Sequence, residues 1–112
     1  MWSSIACEAL RKGRRLELHY DGFTRVVEVH AVGVAKDGHP LMRVFQVRGG
    51  SRGGEPMGWK LMRIDEAIAV NLLDEPSEAP RAGYADHDPA LVIVECTVKP
   101  AAAASSSEAA GA

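Results

Sequence analysis

The chain has 112 residues, of which 13 are Lys or Arg and 15 are Asp or Glu, and its formal net charge at pH 7 is −2. This length suits one domain with a modest core and excludes a large enzyme. No apolar run approaches the roughly 20 residues that span a bilayer, and the N-terminal residues lack the charged and apolar segments of a signal peptide. We therefore expect a cytoplasmic protein that has no membrane partner.

The chain begins with a predicted helix and continues with predicted strands. Residues 3–12 start with a serine that can cap a helix, place apolar residues on one side and end at Gly13. Beyond Gly13 the apolar residues recur at every second position, and tight-turn signals such as Asp21-Gly22 separate the runs. Five strands are predicted, at about residues 14–20, 23–35, 40–48, 59–64 and 67–73.

This order of elements predicts a mostly β fold with one N-terminal helix, namely a small Sm-like or SH3-like barrel of five antiparallel strands. Gly33 lies inside the second strand and indicates a bulge or sharp bend, the usual device for curling a sheet. A split-sheet α+β fold is the alternative.

We divide the chain into a barrel domain with its helix (residues 1–75), a C-terminal extension (76–99) and a disordered tail (100–112). Residues 91–98 are rich in β-forming side chains and predict an added edge strand, although Asp88-Pro89 could instead start a helix. Beyond Pro100 the tail contains only Ala, Ser, Glu and Gly, so it has no large apolar side chain to bury.

Charge is distributed unevenly along the chain. Residues 1–72 contain 11 Lys and Arg against 8 Asp and Glu, whereas residues 73–112 contain 2 against 7. A basic body with an acidic C-terminal segment is compatible with an anionic ligand for the body and with a tail that shields it from non-specific nucleic acid. Chance scatter of charge in a small protein is the alternative.

Metal binding and catalysis lack a sequence signal. Cys7 and Cys96 lie far apart in apolar surroundings, which predicts reduced thiols in the core rather than a disulfide. The four histidines have no metal-ligand spacing, and no nucleophile stands in a catalytic motif. We expect no metal site, no cofactor and no enzymatic activity.

A glycine-rich segment separates the third and fourth predicted strands. Five glycines between Gly49 and Gly58 predict a long loop, which either closes over a ligand or is simply solvated. The loop is not a P-loop, because Glu55-Pro56 stands where the Lys-Ser/Thr pair should be.

Three predicted strands each place one arginine among large apolar residues. Arg25, Arg43 and Arg63 share a strand face with such residues, because positions two apart point the same way. Planar guanidinium groups bind phosphate and carboxylate bidentately, so three of them with few local carboxylates predict an anion pocket. The alternative is that the stems pack on apolar surface while the heads reach water.

Several segments together resemble the WYL domain, a small Sm-like module of bacterial transcription regulators that is thought to sense nucleic-acid or nucleotide-type ligands. The similar segments are residues 6–14, Leu18-His19-Tyr20-Asp21-Gly22, residues 25–30 and residues 61–66. The naming Trp-Tyr-Leu of the family is replaced here by His39-Pro40-Leu41. The resemblance implies ligand binding by basic and aromatic residues on one side of the barrel, and the matching positions are Tyr20, Arg25, His30 and Arg63.

The combined hypothesis is a non-enzymatic sensor module that binds single-stranded nucleic acid or a nucleotide. Arg25, Arg63 and Arg43 would contact phosphate, while Tyr20 and Trp59 would stack on a base. His30 joins this set only if a bulge intervenes, since it is five residues from Arg25 and a regular strand would point the two side chains in opposite directions. The alternative is a protein-interaction domain, in which Trp59, Phe45 and a strand edge dock a partner chain or form a homodimer.

Overall fold

The computed structural model describes residues 2–84 and 87–99. The helix α1 (Trp2–Lys12) comes first and confirms the predicted N-terminal helix. Within the described residues six strands follow: β1 (Arg14–Tyr20), β2 (Phe23–Val34), β3 (Pro40–Gly49), β4 (Gly58–Arg63), β5 (Ile68–Pro76) and β6 (Ile93–Thr97). A 3₁₀ turn, Ile64–Glu66, joins β4 to β5.

The strands form one antiparallel sheet in the order β4-β3-β2-β1-β5, and β6 pairs with β2 outside this path. The mostly β class with an N-terminal helix is therefore confirmed. Among the described residues the sheet has six strands and stays open, so the closed five-stranded barrel is not confirmed.

Strand β2 is the centre of the sheet and is covered on both faces. Its residues 25–33 are all buried, although they include an arginine, a glutamate and a histidine. Val27, Val29 and Val32 enter the core, and the change of parity between Val29 and Val32 follows from a bulge between Val29 and Ala31. Full burial of each such side chain stabilises the fold by roughly 1.5–3 kcal/mol.

The core lies between the sheet and α1. The helix presents small residues to the strands, with Ala6 and Ala9 buried, so its backbone can approach the sheet closely. At its start the indole Nε1 of Trp2 donates a 2.6 Å hydrogen bond to the carbonyl oxygen of Ala67, beyond β4. The largest fully buried apolar side chains are Leu16, Leu18, Met42, Met62 and Ile64.

Strand β6 lies beside the second half of β2, where the pairing of β2 with β1 has ended. A Cβ atom at Gly33 would lie 2.1 Å from the carbonyl oxygen of Ile93, so only glycine permits this approach. The β2–β6 register also shifts between Val32 and Gly33, where the sequence predicts a bulge. The added edge strand predicted within residues 91–98 is present.

The chain between β5 and β6 crosses the face of the sheet opposite α1, which we call the outer face. It is held there by contacts of Glu78, Arg81 and Asp88 with side chains on β2 and β3. The predicted disordered tail after residue 99 lies outside the described residues.

Cys7 and Cys96 form a disulfide that ties α1 to β6, with their Cα atoms 6.0 Å apart. The expectation of reduced thiols is therefore wrong: the long separation in sequence concealed that the helix and the last strand are neighbours in space. Disulfides persist mainly in oxidising compartments, so this disulfide does not support the predicted cytoplasmic location, which stays a prediction. Among the described residues, no helix combines the length and apolar composition needed to cross a bilayer.

We expect loss of this disulfide to lower the free energy of unfolding by about 4 kcal/mol, because it closes a loop across a separation of 89 residues. Chemical denaturation of the oxidised protein, the reduced protein and the Cys7→Ser/Cys96→Ser variant measures the change. The reduced protein and the variant should unfold at the same, lower denaturant concentration. Equal midpoints for the oxidised and reduced proteins would contradict the prediction.

Candidate functional site

The three predicted arginines do not form one cluster. In the β3–β4 register Arg43 lies opposite Leu61 and Arg63 lies opposite Leu41, which places both arginines on the outer face. Arg25 lies opposite Leu18, whose side chain is fully buried, so Arg25 points to the core face. The structure therefore does not bring the three arginines together in one anion pocket.

Arg63 is already paired within its own turn. Its guanidinium donates hydrogen bonds of 3.1 and 2.8 Å to the Asp65 carboxylate and lies 3.4 Å from a carboxylate oxygen of Glu66. Its backbone N–H donates to the hydroxyl of Tyr20 at 3.1 Å, which joins the end of β4 to the end of β1. This arginine thus contributes to local structure and has two carboxylates to balance its charge.

Arg25 has a different environment, since it is 4 % exposed and forms no ion pair with any described residue. Its Nε donates to the backbone oxygen of Tyr20 at 3.1 Å, and its Nη1 donates a long 3.4 Å bond to the side-chain oxygen of Gln46. Both acceptors are neutral. Taking a guanidinium out of water costs several kcal/mol, and these two bonds supply no opposite charge.

Aromatic rings flank this guanidinium. Its central carbon lies 5.3 Å from the ring centre of Tyr20 and 5.5 Å from that of Phe23. Each cation–π contact is worth about 0.5–2 kcal/mol, so the rings offset part of the desolvation cost. No carboxylate of the described residues lies within ion-pair distance, and Asp21, which is itself bound by Arg52, attracts the guanidinium only over a longer distance, so the positive charge is compensated in part.

The glycine-rich loop closes over the same end of the sheet. Gly49 requires glycine, because its φ is +106 and a Cβ there would lie 2.3 Å from the carbonyl oxygen of Thr24; a Cβ at Gly50 would lie 2.1 Å from the ring of Phe23 and would displace that ring. The side-chain amide of Gln46 donates to the backbone oxygen of Gly50 at 3.0 Å. These contacts place the loop next to Arg25.

A second cation borders this loop. Lys60 donates a 3.1 Å hydrogen bond to the hydroxyl of Ser51 and has no carboxylate partner among the described residues. The β3–β4 register pairs Gly58 with Gln46 and Lys60 with the buried Val44, so Lys60 and Gln46 lie on one face as diagonal neighbours. We call Tyr20, Arg25, Gln46 and Lys60, with the covering loop, the Arg25 site.

The other strand arginines are neutralised, mostly by carboxylates at the end of β5 and in the segment after it. The pairs are Arg14 with Asp74, Arg15 with Glu28, Glu75 and Glu78, Arg43 with Asp88, and Arg48 with Glu75. Arg25 is the one strand arginine that lacks such a partner within residues 2–84 and 87–99. The charge asymmetry seen in the sequence is therefore largely internal pairing.

Glu28 organises the outer face. Its carboxylate is fully buried and accepts hydrogen bonds from Arg81 at 2.7 and 3.2 Å, from Arg15 at 2.9 Å and from the backbone N–H of Glu78 at 2.9 Å. Burial alone would raise the pKa of Glu28, but these donors outweigh it and lower the pKa. The carboxylate thus binds the segment after β5 to the sheet.

His30 is buried beneath the same segment and is held as a neutral ring. Its Nδ1 donates to the carbonyl oxygen of Glu28 at 3.0 Å, while its Nε2 accepts from the backbone N–H of Arg81 at 3.0 Å. Only the neutral Nδ1–H tautomer satisfies both bonds. Burial lowers the pKa of His30 and outweighs the favourable effect of Glu28. Both ring nitrogens are therefore engaged in structure.

Trp59 and Arg43 also lie on the outer face. Trp59 packs edge-on against His30 at 4.7 Å and Phe45 at 5.4 Å between ring centres, and it stacks with Tyr84 at 6.0 Å. Arg43 is bound by Asp88. Of the predicted site residues, Tyr20 and Arg25 lie together on the core side, whereas His30, Trp59 and Arg43 lie on the opposite side.

Several residues that complete these two regions were not predicted from the sequence. Gln46 accepts a hydrogen bond from Arg25 and Lys60 binds the loop beside it, while Glu28, Arg81 and Asp88 neutralise the outer face. Glu28 had a detectable signal, because it is a charged residue inside a long apolar strand and requires a partner. Asp88 had none, since its contact with Arg43 spans 45 residues.

Comparisons with known proteins returned nothing: no family model, no curated protein and no solved structure matches the chain. Within the described residues, no three of the His, Cys, Asp and Glu side chains converge as they would around a metal ion.

We expect stability to fall on acidification below about pH 6.5, the ordinary pKa of histidine. The pKa of His30 is lower in the folded than in the unfolded chain, so below pH 6.5 the unfolded chain binds more protons. The contribution of the neutral His30 ring to the free energy of unfolding is complete above pH 6.5. It is lost as the pH falls towards the pKa of His30 in the folded chain, by up to about 1.4 kcal/mol per pH unit.

Denaturant unfolding between pH 5 and 8 measures this slope. His30→Gln should flatten this slope, because it removes the buried ring that the unfolded chain protonates more readily. An unchanged slope in His30→Gln would contradict the assignment.

Proposed function

We propose that the protein is a non-enzymatic binding module for a nucleotide-type anion or single-stranded nucleic acid, and that the Arg25 site contacts the phosphate. The observation that carries this proposal is the buried guanidinium of Arg25, which has no carboxylate partner among the described residues. An oxyanion from outside would supply the missing charge and accept the N–H groups that protein acceptors leave unused.

The surroundings of Arg25 favour phosphate over a bulky partner. Lys60 adds a second cation, and the covering loop is rich in glycine, so its backbone can approach a small anion closely. Tyr20 and Phe23 offer aromatic surface on which a base could stack. The resemblance to the WYL domain, which includes Tyr20 and Arg25, supports the same class of ligand.

This proposal assigns fewer residues to the binding site than the sequence predicts. Arg63 and Arg43 are paired with carboxylates and are not assigned to the phosphate. His30 faces the other side of β2 and is not part of the site.

A second candidate function is protein interaction through β6. Val92, Ile93 and Val94 are 60, 59 and 48 % exposed, and β6 pairs only with β2 among the described strands. A strand edge with consecutive exposed apolar residues is suited to pairing with a second copy of the chain or with a partner strand. Phe45 is a weaker candidate for docking, because the guanidinium of Arg81 covers its ring at 4.6 Å.

We expect Arg25→Met to weaken binding of labelled single-stranded DNA or RNA at least about tenfold, because it removes charge-assisted hydrogen bonds to phosphate. Fluorescence anisotropy at low and physiological salt measures the affinity, which should fall as salt rises. Arg63→Met is the matched control, since it removes an equal charge that is already paired, and it should retain the parent affinity.

Unfolding measurements separate a binding role of Arg25 from a structural one. Arg25→Met removes the buried charge but also the donor to the buried side-chain oxygen of Gln46, so the variant should lose at most about 1–3 kcal/mol of stability and stay folded under the conditions of the titration. Equal loss of binding in Arg25→Met and Arg63→Met would contradict the assignment. No binding at any salt, together with a dimer that Ile93→Lys dissociates, would favour the second candidate function.

A further inference from the structure

The outer face contains a pocket that is separate from the Arg25 site. It has a volume of about 240 Å³, and its walls are formed by Arg43, Trp59, Gly83, Tyr84, His87, Asp88 and Pro89. Trp59 and Arg43 come from the sheet, while the other residues come from the segment between β5 and β6. Phe45, on the same face as this pocket, adjoins Gln46 in β3, so the two sites lie on opposite faces of one strand.

The pocket combines aromatic walls with unused hydrogen-bond donors. Trp59 and Tyr84 lie with their ring planes 23° apart, which gives two nearly parallel aromatic surfaces. The indole Nε1 of Trp59 makes no hydrogen bond to the described residues, and a Cβ at Gly83 would lie 3.7 Å from it. Glycine at position 83 therefore keeps the wall beside this N–H free of side-chain atoms.

Charge in the pocket is balanced. Arg43 donates from Nε and Nη2 to the two oxygens of Asp88 at 2.7 and 3.3 Å, which leaves its Nη1 group without a bond to the described residues. Asp88 is 8 % exposed, and the hydrogen bond from Arg43 lowers its pKa, so it carries a negative charge at neutral pH. The pair offers donors and carboxylate lone pairs side by side but no net positive charge.

We propose that this pocket binds one planar, neutral heteroaromatic ring, such as the base of a nucleoside. The ring would lie against Trp59 or Tyr84, and its polar edge would meet the N–H groups of Trp59 and Arg43 and the carboxylate of Asp88. The volume is below the roughly 300–1,000 Å³ of pockets for drug-sized ligands, so one ring system fills the pocket and the sugar and phosphate of a nucleotide would lie outside it. Balanced charge favours a neutral ligand over an anion.

Nuclear magnetic resonance can test this directly, because the chain has two tryptophans and hence two indole N–H signals. Titration with adenosine, guanosine, cytidine and uridine should shift the Trp59 indole signal and the Gly83 amide saturably for at least one of them. The Trp2 indole, whose N–H is bound to Ala67, is an internal control and should not shift. The indole signal that disappears in Trp59→Phe is the signal of Trp59.

Asp88→Asn tests the role of balanced charge. It leaves Arg43 uncompensated, so the preference for adenosine 5′-monophosphate over adenosine should rise about fivefold relative to the parent. Asp37→Asn removes an equal charge from an exposed turn and should not change the preference.

Arg25→Met should retain nucleoside binding, which separates this proposal from the Arg25 site. Absence of any saturable shift at Trp59 with all four nucleosides at millimolar concentration would overturn the proposal. So would an equal shift of both indole signals, or an unchanged preference in Asp88→Asn.

Discussion

The buried carboxylate of Glu28 is the interaction on which the outer half of the structure depends. A fully buried carboxylate needs partners that offset its loss of hydration, and removing one partner of such a pair costs about 3–5 kcal/mol. Arg15 comes from β1, Arg81 comes from the segment after β5, and both converge on Glu28. Their pairing brings that segment onto β2, buries His30 beneath it and thereby forms one wall of the aromatic pocket. Pairing with Glu28 thus fixes the segment after β5 on the outer face, although the sequence predicts this segment only as a C-terminal extension.

The same electrostatic reasoning distinguishes the arginines. Arg43, Arg48 and Arg63 each lie within hydrogen-bond distance of a carboxylate. Their positive charges are therefore balanced, and they hold neighbouring segments of the chain together. Arg25 is more deeply buried than any of them and contacts only neutral acceptors and aromatic rings. A buried cation that has no carboxylate within ion-pair distance is more informative about an external ligand than cations that are directly paired.

The period of the apolar residues was sufficient to predict the helix and the first five strands, because most runs end at a turn signal. The added strand was predicted from its β-forming side chains alone, with a helix as the alternative. The period could not predict which face of β3 is buried, since Met42 and Val44 alternate with Leu41 and Phe45 and both sets are apolar. Whether Arg43 faced a ligand or a carboxylate depended on Asp88, 45 residues away. The Cys7–Cys96 disulfide was missed for the same reason: proximity in space across 89 residues leaves no local pattern.

Binding of an external anion to Arg25 should be visible at the side-chain Nε–H signal of this arginine in nuclear magnetic resonance. Titration with inorganic phosphate, and then with adenosine 5′-monophosphate, should shift this signal saturably while leaving the Nε–H of the paired Arg63 in place. No shift at Arg25, or the same shift at both arginines, would contradict the account.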